Sequence, residues 1–173
     1  RGAFNATTPQ ALAAHAIEHA VKRAGLDGSE ISDCVIGSAL QQGHQAGNIA
    51  RQAAIRAGLP VTVAGMSLDR QCASGMMAIA TAAKHGMDIV IGGGVDSISM
   101  VQTPEMRVSA DPWLKQNKPE IYMTMLETAE NVAERYNVSR EAQDEYAARS
   151  QELTHQAQQA GRFDDEIVGM TTT

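Results

Sequence analysis

The sequence predicts an α/β fold built on a mainly parallel sheet, and two observations predict it. Short apolar runs alternate with segments of about a dozen residues whose apolar positions recur at helical spacing, the pattern of βαβ units. The runs themselves, such as Cys34-Val35-Ile36 and Ile89-Val90-Ile91, do not alternate with polar residues, as expected of strands covered on both faces.

The elements follow in order. Thr8 can cap a first helix, and Pro9 at its first position loses no needed donor. Leu12, Ala13, Ala16, Ile17, Ala20, Val21 and Ala24 form its stripe, and Gly25 stops it. Cys34 to Gly37 reads as a short buried strand. Residues 48–57 read as a small-faced helix stopped by Gly58 and Pro60, and residues 61–68 as a second strand. A helix of small residues runs from Cys72 to Lys84. Met87 to Ile91 is a third strand, followed by the turn Gly92-Gly93-Gly94. The alternation of Val95, Ser97, Ser99 and Val101 with Asp96, Ile98 and Met100 predicts a further strand. Pro104 and Pro112 mark a boundary, with residues 1–101 before it and 102–173 after it. Beyond it, residues 120–136 read as helix. Ser139 can cap a long helix that turns Ala142, Tyr146, Leu153, Ala157 and Ala160 inward and stops at Gly161. Glu166-Ile167-Val168 is a short strand candidate.

Composition narrows the function. At 173 residues and 18.4 kDa the chain can bury a real core. A net charge of −6 argues against a nucleic-acid or anionic-membrane partner. The apolar runs are too short to span a bilayer, and no basic-then-apolar leader opens the chain, so a cytoplasmic location is expected. Two cysteines make no disulfide framework.

Cys72 stands out. It falls where a strand hands over to a helix, and free N–H groups and the positive dipole end collect at such a junction. Thiolates are favoured at helix N-termini, and the same N–H groups can hold the oxyanion of an attacked carbonyl. Ala73, Ser74 and Gly75 are small, so a substrate can reach the sulfur. The arrangement suits acyl transfer through a thioester. The bland alternative is that a free cysteine merely fills space, and that is the reading for Cys34, inside its apolar strand.

Five stretches in register then carry a resemblance. Asp69-Arg70-Gln71-Cys72-Ala73-Ser74-Gly75 resembles the nucleophile motif of the thiolases. Gly47-Asn48-Ile49-Ala50-Arg51-Gln52-Ala53-Ala54 with Ala57-Gly58-Leu59-Pro60 resembles the helix and turn before it. Gly92-Gly93-Gly94-Val95-Asp96-Ser97-Ile98-Ser99-Met100 resembles a family stretch that usually has Glu where Asp96 stands. Thr128-Ala129-Glu130-Asn131-Val132-Ala133 and Gly161-Arg162-Phe163 with Glu166-Ile167-Val168 resemble later stretches.

The resemblance implies a layered fold, with helices on both faces of a mixed, mainly parallel sheet, incomplete in this chain. Residues 1–101 would be the N-terminal domain with the nucleophile, and 102–173 the start of a helical cap. Cys72 would be the catalytic nucleophile, exchanging acyl groups with coenzyme A by thiolysis of 3-oxoacyl-CoA or condensation of acetyl-CoA. Its own N–H would form part of the oxyanion hole. Met125 would touch substrate; beside it Leu126 replaces the usual Gly, and Thr124 stands where some members have His. Acyl-CoA and CoA would be the small-molecule partners, with no metal or redox cofactor, and the assembly a homodimer or homotetramer. The family's Asn-Glu-Ala-Phe, Gly-His-Pro and Cys-x-Gly motifs do not occur here, and Gly43-His44-Gln45 is only an echo. Asp69, Asp96 and the five histidines are the acid–base groups nearest in sequence, and none has a motif for that work. The expectation is a chain that acylates without turning over.

Competing readings are weaker. His15-Ala16-Ile17-Glu18-His19 matches a zinc-peptidase pattern, but a buried face of Leu12, Ala16, Ala20 and Ala24 would turn both histidines to solvent. The triple glycine lacks phosphate-loop spacing. A non-catalytic binding or assembly subunit on the same fold is the alternative function, and a cysteine kept among small residues argues against it. The decarboxylating condensing enzymes also place a cysteine at such a junction, but the stretches around Cys72 and Asp96 favour the thiolases.

Overall fold

A computed structural model describes residues 2–84, 86–106 and 109–172. The chain divides into two compact units, Arg1–Met106 with Val168–Thr173, and Arg107–Ile167.

The first unit is built on three strands, β1 (Asp33–Gly37), β2 (Ala64–Leu68) and β3 (Val90–Gly94), in the order β2-β1-β3. Both pairings are parallel; Cys34 lies opposite Gly65 on one side and Ile91 on the other. No antiparallel strand occurs among the described residues. Helices cover both faces. Cys34 and Ile36 point into a core filled by α1 (Pro9–Ala24) and α2 (Ile49–Arg56), through Ala13, Ile17, Ile49, Ala50 and Ala53. The opposite face carries α3 (Ser74–Lys84), which packs on β1 and β3.

Local chemistry sets the helix ends. Thr8 accepts the Ala11 N–H, with Pro9 in the first turn, and Gly25 closes α1 at φ +68°. Asn48 caps α2 by accepting from Arg51 N–H at 3.2 Å, and its Nδ2 donates to Gly65 C=O at 2.7 Å, which ties α2 to β2.

Several expectations need correction. The buried positions of α1 are Pro9, Ala13, Ala14 and Ile17, while Ala16 and Ala20 are exposed and His15 and His19 half-buried. The expected face was rotated, because a run of alanines carries little directional information and packing against α2 decides. The third strand starts at Val90 and includes all three glycines, so they are not a turn. A Cβ on Gly92 would sit 3.1 Å from Ile79 Cα, so glycine permits α3 to lie close on β3. Residues 95–101 are not a strand; Ser97 turns the chain into the short α4 (Ile98–Val101).

The second unit is helical: α5 (Pro112–Asn117), a 3₁₀ turn (Pro119–Tyr122), α6 (Met125–Tyr136) and α7 (Arg140–Gln159). The expected helix over 120–136 is broken because Thr124 and Glu127 make a capping box that starts α6 afresh. Ser139 caps α7 as expected. None of its side chains is buried among the described residues: of the expected inward face Ala157 is half-buried, while Tyr146 and Leu153 are 75% and 53% exposed. Residues 166–168 form no strand. No helix among the described residues is long and apolar enough to cross a membrane.

Candidate active site

The strand order puts the site where it is. After β1 the chain goes to one side for β2, then crosses over to the other side for β3. In open parallel sheets the crevice at such a reversal, at the carboxyl ends of the strands, is the usual binding place. Here a cavity of about 450 Å³ opens there, lined by Gly37 and Gly94, the last residues of β1 and β3, with Cys72, Gly75, Asp96 and Gln102.

Cys72 lies in a tight turn between β2 and α3 and is exposed; α3 begins at Ser74, two residues later than expected. Gln71 adopts a left-handed φ of +50°, an uncommon conformation for a side-chain-bearing residue. The turn holds it in place. The Asp69 carboxylate accepts the Gln71 N–H at 2.7 Å. The Gln71 carbonyl accepts both the N–H and the hydroxyl of Ser74, at 3.0 and 2.6 Å. Ser74 Oγ in turn accepts the Arg70 N–H at 2.8 Å. Ser74 is buried and has no exposed role; it pins the turn that presents the sulfur. Helix geometry leaves the amides of Gly75 and Met76, in the first turn of α3, without an intrahelical acceptor.

Close approach of helix and strand completes the cavity floor. A Cβ on Gly37 would fall 2.2 Å from the carbonyl carbon of Ser74, so only glycine lets the start of α3 rest on the end of β1.

The other cysteine is the opposite case. Cys34 is fully buried in the core. Burial, with a smaller effect from Asp33, pushes its thiol up to about 12.

Asp96, singled out only as a departure and an acid–base candidate, proves to be a clamp. Its Oδ1 accepts from Ser38 Oγ at 3.2 Å, Leu40 N–H at 3.3 Å and Gln45 Nε2 at 2.8 Å, and its Oδ2 accepts the Ala39 N–H at 3.1 Å. Those lone pairs hold the backbone and are not offered to a substrate proton. Asp69 is likewise engaged by its own turn. Gln45 is fully buried, and its Oε1 accepts the Ser97 N–H. Sequence reasoning missed it, since its partners lie up to 52 positions away.

The remaining candidates separate. Met125 opens α6 in the second unit and is 70% exposed. The rings of His15 and His19 meet tilted by 56° with centroids 4.6 Å apart, and His15 Nε2 is buried without a hydrogen-bond partner among the described residues. No group of three or more His, Cys, Asp or Glu among the described residues is placed to hold a metal. His85 lies outside the described residues.

The family model for the thiolase N-terminal domain matches residues 1–173. The chain is 38% identical to a 3-ketoacyl-CoA thiolase of Bacillus subtilis, covering 100% of this chain and 45% of that protein. It is 40% identical to a peroxisomal 3-ketoacyl-CoA thiolase of Yarrowia lipolytica, covering 100% and 43%. The crystal structure of the Bacillus anthracis acetyl-CoA acetyltransferase superposes with a TM-score of 0.84 at 37% identity, over 99% of this chain and 47% of that one. The chain thus spans less than half the length of these relatives. With a family model matched from end to end and a solved relative of the same fold, the chain belongs to the thiolase family and corresponds to its N-terminal domain.

Proposed function

We propose that Cys72 is the nucleophile of a thiolase-type acyltransferase and takes an acyl group from a coenzyme A thioester. The observation that carries the reading is the contrast between the two cysteines: Cys72 exposed at the cavity above the start of α3, Cys34 sealed in the core. The relatives' names, 3-ketoacyl-CoA thiolase and acetyl-CoA acetyltransferase, support the substrate class.

In the first step the ionised sulfur attacks the thioester carbonyl. The developing oxyanion is held by the Cys72 N–H and the amides opening α3. The carbon–sulfur bond to CoA breaks, CoA leaves as thiolate and takes a proton from solvent, and the acyl group stays on Cys72. With a 3-oxoacyl-CoA the attack falls on the 3-oxo carbonyl. The bond between C2 and C3 then breaks, and its electron pair leaves as the enolate of acetyl-CoA, which must be protonated. The thiol of another CoA molecule, giving its proton to solvent, then attacks the Cys72 thioester; the bond between the acyl carbon and the Cys72 sulfur breaks, and acyl-CoA leaves with the cysteine restored. Asp69 is not among the described residues lining the cavity, and Asp96 already accepts four hydrogen bonds within the fold, so acyl uptake is the half-reaction expected of these residues. Met125 is proposed as a substrate contact on its motif alone. The reading calls for no metal or redox cofactor, and for a homodimer or homotetramer in the cytoplasm, with 1–101 carrying the nucleophile and 102–173 beginning the cap.

The test is intact-mass measurement after incubation with acetyl-CoA. One acetyl group is expected, mapped to Cys72, lost in Cys72→Ser and kept in Cys34→Ser. An unmodified Cys72 would instead favour a binding or assembly role.

A further inference from the structure

The cavity over Cys72 has two walls of irregular backbone, Ala39-Leu40 after β1 and Val95-Asp96 after β3. Neither wall belongs to a strand; Asp96 reaches across to the Ala39 and Leu40 N–H groups, and one fully buried side chain, Gln45, braces that contact from behind. Gln45 Nε2 lies 2.8 Å from Asp96 Oδ1, 3.0 Å from Ser38 Oγ and 2.9 Å from the Leu40 carbonyl, while its Oε1 accepts the Ser97 N–H. One amide thus touches both walls, and Ser38, also fully buried, passes its own hydroxyl hydrogen to Asp96. The group serves no core-filling purpose that an apolar residue could not serve. What an apolar residue could not do is satisfy donors and acceptors on two separate loops at once.

We propose that Gln45 is a positioning residue for acyl transfer: by clamping Asp96 and both loops it fixes the walls of the substrate cavity relative to the Cys72 sulfur. This rests on the acyl-transfer reading above. It follows from the geometry because attack needs the thioester carbonyl held within a narrow range of the sulfur, and small displacements of a supporting wall cost rate heavily. Alkylation by a small reagent needs no such placement. The Cys72 turn is pinned separately by Ser74 and Asp69, so the thiol's own reactivity stays out of Gln45's reach.

The test compares two reactions of Cys72 in the intact protein, acetylation by acetyl-CoA and alkylation by iodoacetamide, both followed by mass. Gln45→Met keeps the volume and removes the hydrogen bonds; Gln45→Ala removes both. Acetylation is expected to fall about tenfold or more in each variant, with alkylation within about twofold of the wild type. Unchanged acetylation in Gln45→Met overturns the proposal and leaves Gln45 a packing residue. An equal fall in both reactions overturns it as well, because the thiol itself has then moved. A wild-type protein that alkylates yet takes no acetyl group overturns the acyl-transfer reading instead, so the two failures are distinct.

Discussion

The two sulfurs show how burial alone separates residues of one type. Cys34, held near 12 by its surroundings against an ordinary value of 9.0, stays protonated in the folded chain long after an unfolded one has lost its proton. The unfolded state then binds fewer protons, so stability falls as pH rises. We expect wild-type stability, relative to Cys34→Ala, to be flat below pH 9 and then to drop by about 1.4 kcal/mol per pH unit until about pH 12. Urea unfolding across that range measures it, and parallel curves for the two proteins would count against the assignment. The exposed strand-to-helix turn that carries Cys72 was legible in the sequence because such a junction is marked locally by residue types. Gln45 was illegible for the converse reason. Nothing about a glutamine in a polar loop announces that residues some fifty positions on will close over it.

Among the elements, the contact between β1 and α3 matters most for the site. Gly37→Ala forces a methyl against the backbone of Ser74, where no flexible side chain can yield. Overpacking of this kind costs about 1–3 kcal/mol or more, and here the yielding part is the turn carrying Cys72. We expect Gly37→Ala to lower the urea midpoint by a matching amount and to slow alkylation of Cys72; a variant as stable and as reactive as the wild type would show that α3 has room to retreat. The same contacts explain where element boundaries went astray. Glycine has weak strand preference, so Gly92-Gly93-Gly94 read as a turn, yet β3 needs a residue without a side chain at Gly92, beneath Ile79 and Ala82, and a close approach to Gly75 at Gly94. Residues 95–101 alternated like a strand, but the Ser97 N–H is taken by Gln45 and leads into α4.

On the scale of the molecule the two units differ in kind. The first has a continuous core from α1 and α2 to the sheet. In the second, α5, α6 and α7 contain no buried residue, and Trp113, Leu126 and Tyr146 stand open. In proteins most helical stability comes from packing an amphipathic face, and α7, though 20 residues long, buries none of its side chains. In the 173-residue chain we therefore expect α7 amides to exchange with solvent roughly a hundredfold or more faster than those of β1 by native-state hydrogen exchange. Equal protection would mean that the helical unit is stabilised by contacts not described above. That openness is also why helix existence, but not an inward face, could be read from residues 139–160: amphipathic spacing names a face without naming its partner. The pairing of one open sulfur with one sealed sulfur has a practical corollary. A fluorophore or spin label supplied as a maleimide would attach once per molecule, at the mouth of the cavity, so distances and motions there become measurable in the unmutated chain.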